Sequence, residues 1–162
     1  MKRGRIAVYP GTFDPITFGH IDIIERASRI FDKVIVAVAH NAEKKPLFTT
    51  KERVAMVKDA IKDMPNVNAD DFYGLVVDYA EGIGSNVMIR GLRMTSDFEY
   101  EFQMALTNRK LKSEIETIFL MPKEDYSYVS SKLIKEASSL GADMTAFVPK
   151  GVETLLRKKL RR

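Results

Sequence analysis

Apolar positions change their spacing repeatedly along the chain, and each change marks a new element. Val34 to Ala39 reads VIVAVA, apolar without alternation. So short a run with no polar face predicts a strand buried on both sides, as in a parallel sheet. Before it, residues 20 to 31 place Ile23, Ile24, Ala27, Ile30 and Phe31 at the spacing of one helix face. Residues 5 to 9 predict the opening strand. Thr49, with Glu52 three residues on, has capping-box form and predicts a helix from about 50 to 63. Residues 66 to 72 predict a weaker strand, 75 to 83 a short helix ended by Gly84, and 86 to 90 a strand that stops at Gly91. Ser96 and Glu99 form a second capping-box pattern, with a helix behind it reaching Leu111. Residues 115 to 121 predict a strand ended by Pro122. Ser130 or Ser131 caps a helix to about Leu140, ended by Gly141, and the last helix follows Pro149.

Strand and helix alternate throughout. This predicts an α/β fold: a doubly wound, parallel five-stranded sheet with helices on both faces. No repeat, low-complexity tract or linker breaks the pattern, so residues 1 to 162 are expected to form a single domain. In open sheets of this kind ligands bind beyond the carboxyl ends of the strands. Residues capable of chemistry do follow strands here. Pro10, Gly11, Thr12 and then His20 follow the first; His40, Lys44 and Lys45 the second; Arg90, Gly91 and Arg93 the fourth; Lys123, Ser127, Ser130 and Ser131 the fifth. Cations, hydroxyls and free helix-start amides gathered on one edge suit phosphate oxygens.

Charge qualifies this picture only slightly. The net charge is +4. Residues 157 to 162 carry five positive charges and no acid, so the remainder is net negative by one. The basicity is a tail property, read as a solvated, frayed helix end whose Lys and Arg suit the dipole. A nucleic-acid arm is the lesser reading. Cysteine is absent, which removes disulfides and thiolate metal sites from consideration and fits the cytoplasm. No apolar run approaches the ~20 residues of a membrane span. The four apolar residues behind the basic start, Ile6 to Tyr9, are too few for a signal-peptide core.

The stretch VYPGTFDPITFGH, residues 8 to 20, concentrates rigid and permissive residues in one turn. Pro10 and Pro15 stiffen it, while Gly11 and Gly19 permit close approach or positive φ. His20 stands where the helix begins, among amides that favour an anion. Its ring can donate to a phosphate oxygen, with its protonation state open. The stretch matches neither G-x-x-x-x-G-K-[ST] nor G-x-G-x-x-G.

PGTFDPITFGH resembles the signature of the nucleotidylyltransferase superfamily, Rossmann-like enzymes with H-x-G-H at the start of the first helix. Here the motif reads Thr17-Phe18-Gly19-His20. Threonine in the first slot is usual in one branch, the phosphopantetheine adenylyltransferases. KKPLFTTKERV at 44 to 54, IRGLRMTSDFEYEFQMALTNRKL at 89 to 111 and FLMPKEDYSYVSSKLIKE at 119 to 136 resemble the same branch, in the same order. The resemblance implies transfer of AMP from ATP to 4′-phosphopantetheine, giving dephospho-CoA and pyrophosphate. It implies His20, Lys44 and Arg93 in catalysis. It implies Thr12, Lys44, Val76 and Arg90 around phosphopantetheine. Around ATP it implies Thr12, the Phe13 amide, His20, Gly91, Leu92, Arg93, Glu101, Tyr126, Ser127, Tyr128, Val129, Ser130, Ser131 and Lys132. Two slots depart from the pattern: Phe18 where relatives often carry Asn, and Lys132 where a small hydroxyl is common. The resemblance also implies Mg²⁺ on the ATP phosphates, a homohexamer, and feedback by coenzyme A.

The residue types fit that chemistry. No Ser-His-Asp arrangement and no cysteine nucleophile are found. A phosphate oxygen is already anionic at neutral pH, so attack needs alignment and charge neutralisation rather than a base. Two other readings stand beside it. One is a sister transferase using nicotinamide mononucleotide or glycerol phosphate; the other is a basic nucleic-acid-binding module. Single-residue alternatives remain too: lysines 44 and 45 as solvated loop charges, Glu101 as a helix support, His40 as structural. The Phe and Met residues of 94 to 106 are read as core and subunit contact.

Overall fold

A computed structural model describes residues 4–41 and 45–160. Five parallel strands form the sheet: β1 (Ile6–Gly11), β2 (Lys33–Ala39), β3 (Val67–Phe72), β4 (Val87–Gly91) and β5 (Glu116–Leu120), in the order β3-β2-β1-β4-β5. Between and after them run α1 (Phe18–Ile30), α2 (Thr50–Ala60), α3 (Val76–Gly82), α4 (Thr95–Leu111), α5 (Ser131–Ser139) and α6 (Lys150–Leu160). The α/β expectation holds in class and strand count.

The unbroken apolar run of β2 is buried on both faces, with Val34, Val36, Ala37 and Val38 fully covered. Tyr9, Val36 and Val38 face a large core with α1, α2, α5 and α6, including Ile24, Val57, Ile134 and Leu156. Val8, Ala37 and Met88 face a thinner cluster closed by Val77 and Ala80 of α3. Burying each of the Val, Ile, Leu and Met side chains contributes about 1.5–3 kcal/mol. The edge strand β3 is polar over most of its length, as the weak pattern at 66 to 72 suggests, and the edge strand β5 is no more than half-buried.

Three boundaries differ for local reasons. α1 begins at Phe18 with Thr17 as its cap, so His20 is its third residue rather than its first. α2 stops at Ala60, where Ile61 leaves helical geometry. α4 begins at Thr95 because Asp97 accepts the Met94 N–H at 3.4 Å, a role the sequence pattern gave to Ser96 and Glu99. The tail also differs. Lys159 of α6 donates to Glu52 at 2.7 Å and to the Leu47 carbonyl at 3.2 Å, with its ammonium 4.9 Å from the Phe48 ring centre. Arg157 pairs with Glu153 at 2.6 Å. These two cations of the tail are structural contacts rather than a solvated end.

Strand order turns at β1. The chain runs outward to β2 and β3, then returns to place β4 on the other side of β1. At such a switch point the connections leave in opposite directions and open a crevice beyond the carboxyl ends of the strands. A cleft of about 560 Å³ opens there, lined by Gly11, Thr12 and Phe13 at and just after the end of β1 and by Arg90, Gly91 and Arg93 around the end of β4.

Candidate active site

The loop after β1 takes its shape from buried contacts. Phe13 has φ 49, so the left-handed residue is a phenylalanine and neither Gly11 nor Gly19. Its ring is buried edge-on against Tyr9 at 5.3 Å and His20 at 5.0 Å. Gly11 makes room for that ring: a Cβ there would lie 2.9 Å from it. Asp14, itself buried, accepts the Leu47 and Phe48 N–H groups at 2.9 Å and the Lys135 ammonium at 2.6 Å. Ser131 of α5 donates to the Pro15 carbonyl at 2.8 Å. The loop is thus tied to α5 and to the segment before α2.

Thr17 and His20 cap α1 reciprocally. The His20 N–H donates to the Thr17 hydroxyl oxygen at 3.3 Å, and the Thr17 N–H donates to His20 Nδ1 at 3.0 Å. Histidine takes the place that glutamate holds in an ordinary capping box. An Nδ1 that accepts a backbone N–H carries no proton, so the neutral ring holds its hydrogen on Nε2. Burial, followed by the positive charges of Arg93 and Arg90, pushes the ring pKa down to about 3. The site therefore holds a neutral donor at the mouth of α1, which resolves the protonation state left open by the sequence.

This has a pH consequence. The unfolded ring titrates near 6.5 and the folded ring near 3, so the unfolded chain binds the extra proton in between. The stability associated with neutral His20 is fully present above pH ~6.5 and is lost as pH falls toward 3. Denaturant unfolding at pH 7.5 and pH 5 should show a smaller acid-side loss in His20→Asn than in the unaltered protein. Equal losses would count against the buried neutral ring.

Across the cleft, Arg90 is held by Glu101 of α4. Its Nε and Nη2 donate to the two carboxylate oxygens at 2.8 and 2.7 Å, and Nη1 donates to the Pro10 carbonyl at 2.8 Å. Glu101 is buried and both its oxygens are taken, so it orients Arg90 instead of supporting its own helix turn. Arg93 donates to the Val129 carbonyl at 2.7 Å and lies 3.4 Å from Asp97. It thereby spans from the end of β4 to the start of α5.

Thr12, Phe13, His20, Arg90, Gly91, Arg93, Glu101, Val129, Ser130, Ser131 and Lys132 all line this one cleft. The hydroxyls are partly committed: Ser130 caps α5 by accepting the Leu133 N–H at 3.1 Å. The Lys132 side chain is 86% exposed, 4.0 Å from Glu136. Leu92, Tyr126, Ser127 and Tyr128 lie outside the lining. The Leu92 N–H bonds the Leu120 carbonyl. Tyr126 packs on Phe18, Ser127 bonds the Glu124 carbonyl, and Tyr128 is exposed beside Phe147. Val76 also lies outside it: as the first residue of α3 it covers the thinner core cluster. Lys44 falls outside the described residues. His40 bonds Asp71 and Thr50 and stacks on Tyr73. Met94, which precedes α4, and Phe98, Phe102 and Met104 within it are exposed, so they are not core in the single chain.

Sequence reasoning passed over Tyr9, Asp14, Tyr100 and Lys135, which also line the cleft. Burial raises the Tyr9 phenol to about 12, keeping it a neutral hydroxyl. An acid between Phe13 and Pro15 in a turn was the available signal for Asp14; Lys135 carried none.

Residues 8–137 match the cytidylyltransferase-like family. Over 158 residues the chain is 52% identical to the phosphopantetheine adenylyltransferase of Caldanaerobacter subterraneus subsp. tengcongensis, covering 98% of this chain and 99% of that protein. It is 54% identical over the same length to the phosphopantetheine adenylyltransferase of Geotalea daltonii, covering 98% of each. Its fold is similar to that of a proposed nicotinate-nucleotide adenylyltransferase from Vibrio parahaemolyticus, with TM-score 0.71 and 20% identity over 95% of this chain and 99% of that one.

Proposed function

We propose the following chemistry for a chain that belongs to the cytidylyltransferase-like family and, within it, to the phosphopantetheine adenylyltransferases. The reaction is transfer of the adenylyl group of ATP to 4′-phosphopantetheine, forming 3′-dephospho-CoA and releasing pyrophosphate, a step of coenzyme A synthesis. One observation carries the assignment of roles. His20, Thr12, Arg90 and Arg93 converge on a single cleft at the switch point of the sheet.

A phosphate oxygen of phosphopantetheine attacks the α-phosphorus of ATP in line. The new P–O bond forms as the α–β bridging bond breaks, and pyrophosphate leaves with the bridging oxygen. No covalent enzyme intermediate is involved. His20 donates its Nε2 hydrogen to an α-phosphate oxygen. Three of the five Arg90 N–H bonds are committed to Glu101 and Pro10, and the others hold the acceptor phosphate together with Lys44. Arg93, with amides at the start of α5, receives the β,γ-phosphates. Thr12 stands between the two reactants. Leu92, Tyr126, Ser127 and Tyr128 are kept as outer contacts of the nucleotide, and Val76 as a contact of the pantetheine arm.

Among the described residues no group of three or more acids or histidines could cage a metal. The cleft carboxylates Asp14, Asp97 and Glu101 each meet protein donors. Mg²⁺ enters the reaction on the ATP phosphates and keeps several of its waters. Exposed Phe98, Tyr100, Phe102 and Leu106 along α4 support burial between subunits, and we take the assembly to be a homohexamer. The cytoplasm is the proposed compartment.

The test is pyrophosphate release with ATP or CTP, Mg²⁺ and a panel of 4′-phosphopantetheine, nicotinamide mononucleotide and glycerol phosphate. ATP with 4′-phosphopantetheine should be turned over well above every other pair. Preference for another acceptor would transfer the reading to a sister enzyme. The same preparation should sediment as a hexamer; a monomer at assay concentration would remove the assembly.

A further inference from the structure

Arg53 of α2 is fully buried, yet no carboxylate receives its hydrogen bonds. Its guanidinium joins three separate segments through their carbonyls. Nη1 donates to the Thr12 carbonyl at 2.7 Å and the Ala39 carbonyl at 2.8 Å, and Nε donates to the Phe48 carbonyl at 3.1 Å. Nη2 donates to the Thr50 hydroxyl at 2.9 Å, behind which stand His40 and Asp71. Burying such a group costs several kcal/mol, as an order of magnitude, unless its donors are met. The charge of Asp14 helps to offset it. A methionine or leucine could fill this volume without that cost, so core packing alone does not account for an arginine here.

The bond to Thr12 has a directional result. In a trans peptide the C=O and N–H point to opposite sides. The Thr12 carbonyl is turned away from the cleft toward Arg53, so the N–H of the same peptide, that of Phe13, is turned toward it. Among the described residues that N–H meets no backbone or side-chain acceptor. Phe13 holds φ 49, a conformation a non-glycine residue keeps only when its surroundings impose it.

We propose that Arg53 is a positioning residue: it fixes the plane of the Thr12–Phe13 peptide so that the Phe13 N–H is a preset donor to the nucleotide phosphates. Arg53 touches neither reactant. The inference rests on the adenylyl-transfer reading of the cleft and adds to it the residue that keeps one of its donors in place.

Arg53→Lys retains the charge but offers a single point of donation in place of the planar fork. Its kcat should fall about 10²-fold, the cost of misplacing a reacting group by roughly 1 Å. KM for ATP and for 4′-phosphopantetheine should stay within about threefold, the pattern of an interaction made in the transition state. Folded Arg53→Lys with kcat within about twofold of the unaltered enzyme would overturn the proposal. A second measurement needs no variant. The amide resonance of Phe13 in ¹⁵N-labelled protein should shift strongly when α,β-methylene-ATP is added. Saturation that moves other cleft amides and leaves Phe13 still would overturn the proposal even if Arg53→Lys failed to fold. Absence of pyrophosphate release by the unaltered protein would sink the reaction instead, and the two failures are distinguishable.

Discussion

His20→Ala should lower kcat by about 10²–10³-fold, the usual loss when one preset donor to transition-state charge is removed. The structure makes this ring a fixed donor. Its Nδ1 is occupied by the Thr17 N–H at 3.0 Å, and its pKa is held down to about 3 by burial and by Arg93 and Arg90. The Nε2 hydrogen is therefore present throughout the working pH range and needs no reorganisation during the reaction. Loss of the ring also leaves the Thr17 N–H without its acceptor, a capping cost of about 1 kcal/mol. That is small beside a domain stability of about 5–15 kcal/mol, so the variant should fold. Single-turnover pyrophosphate release at saturating substrates is the measurement. Near-normal turnover by a folded variant would refute the role.

Arg90→Ala should chiefly weaken 4′-phosphopantetheine. Truncating one member of a buried, hydrogen-bonded charge pair at a binding surface costs about 2–5 kcal/mol, so the acceptor KM should rise at least ~30-fold. ATP affinity should change by no more than about threefold, because Arg93 and the amides of α5 are untouched. A second loss accompanies the first. Glu101 is buried, and the bidentate bonds at 2.7 and 2.8 Å are what neutralise it. Left alone, it should depress the unfolding temperature, and Arg90→Ala with Glu101→Gln should recover part of that stability without recovering acceptor binding. Equal weakening of both substrates in Arg90→Ala would defeat the division of labour between Arg90 and Arg93.

Much of the fold was legible because burial writes itself as period. The run at 34 to 39 has no polar face, and β2 has no exposed face in its middle. Strand-end chemistry was legible for the same reason, since a parallel sheet places every carboxyl end on one side. What stayed hidden was long-range polar pairing. Arg53 sits in a helix beginning Thr-Lys-Glu-Arg, where a charge reads as solvent-facing; the carbonyls of Thr12 and Ala39 that hold it leave no trace in residue types. Glu101 was named as a site residue, but its partner lies across the turn between β4 and α4, at a separation no helix period marks. The start of α1 was placed two residues late, at His20 instead of Phe18, because a histidine completing a capping box is not part of the ordinary pattern.

The contact of Lys159 with Leu47 and Glu52 bears on how the protein should be handled in the laboratory. Leu47 and Phe48 are the residues whose N–H groups hold Asp14, so the far end of α6 leans on the segment that fixes one lining residue of the cleft. β1, by contrast, starts at the amino edge of the sheet, a strand's length from the chemistry. An affinity tag or fluorophore belongs at the amino-terminal end. Fused at the carboxyl-terminal end, beyond α6, it would compete with Lys159 for its seat and blur any kinetic comparison between variants.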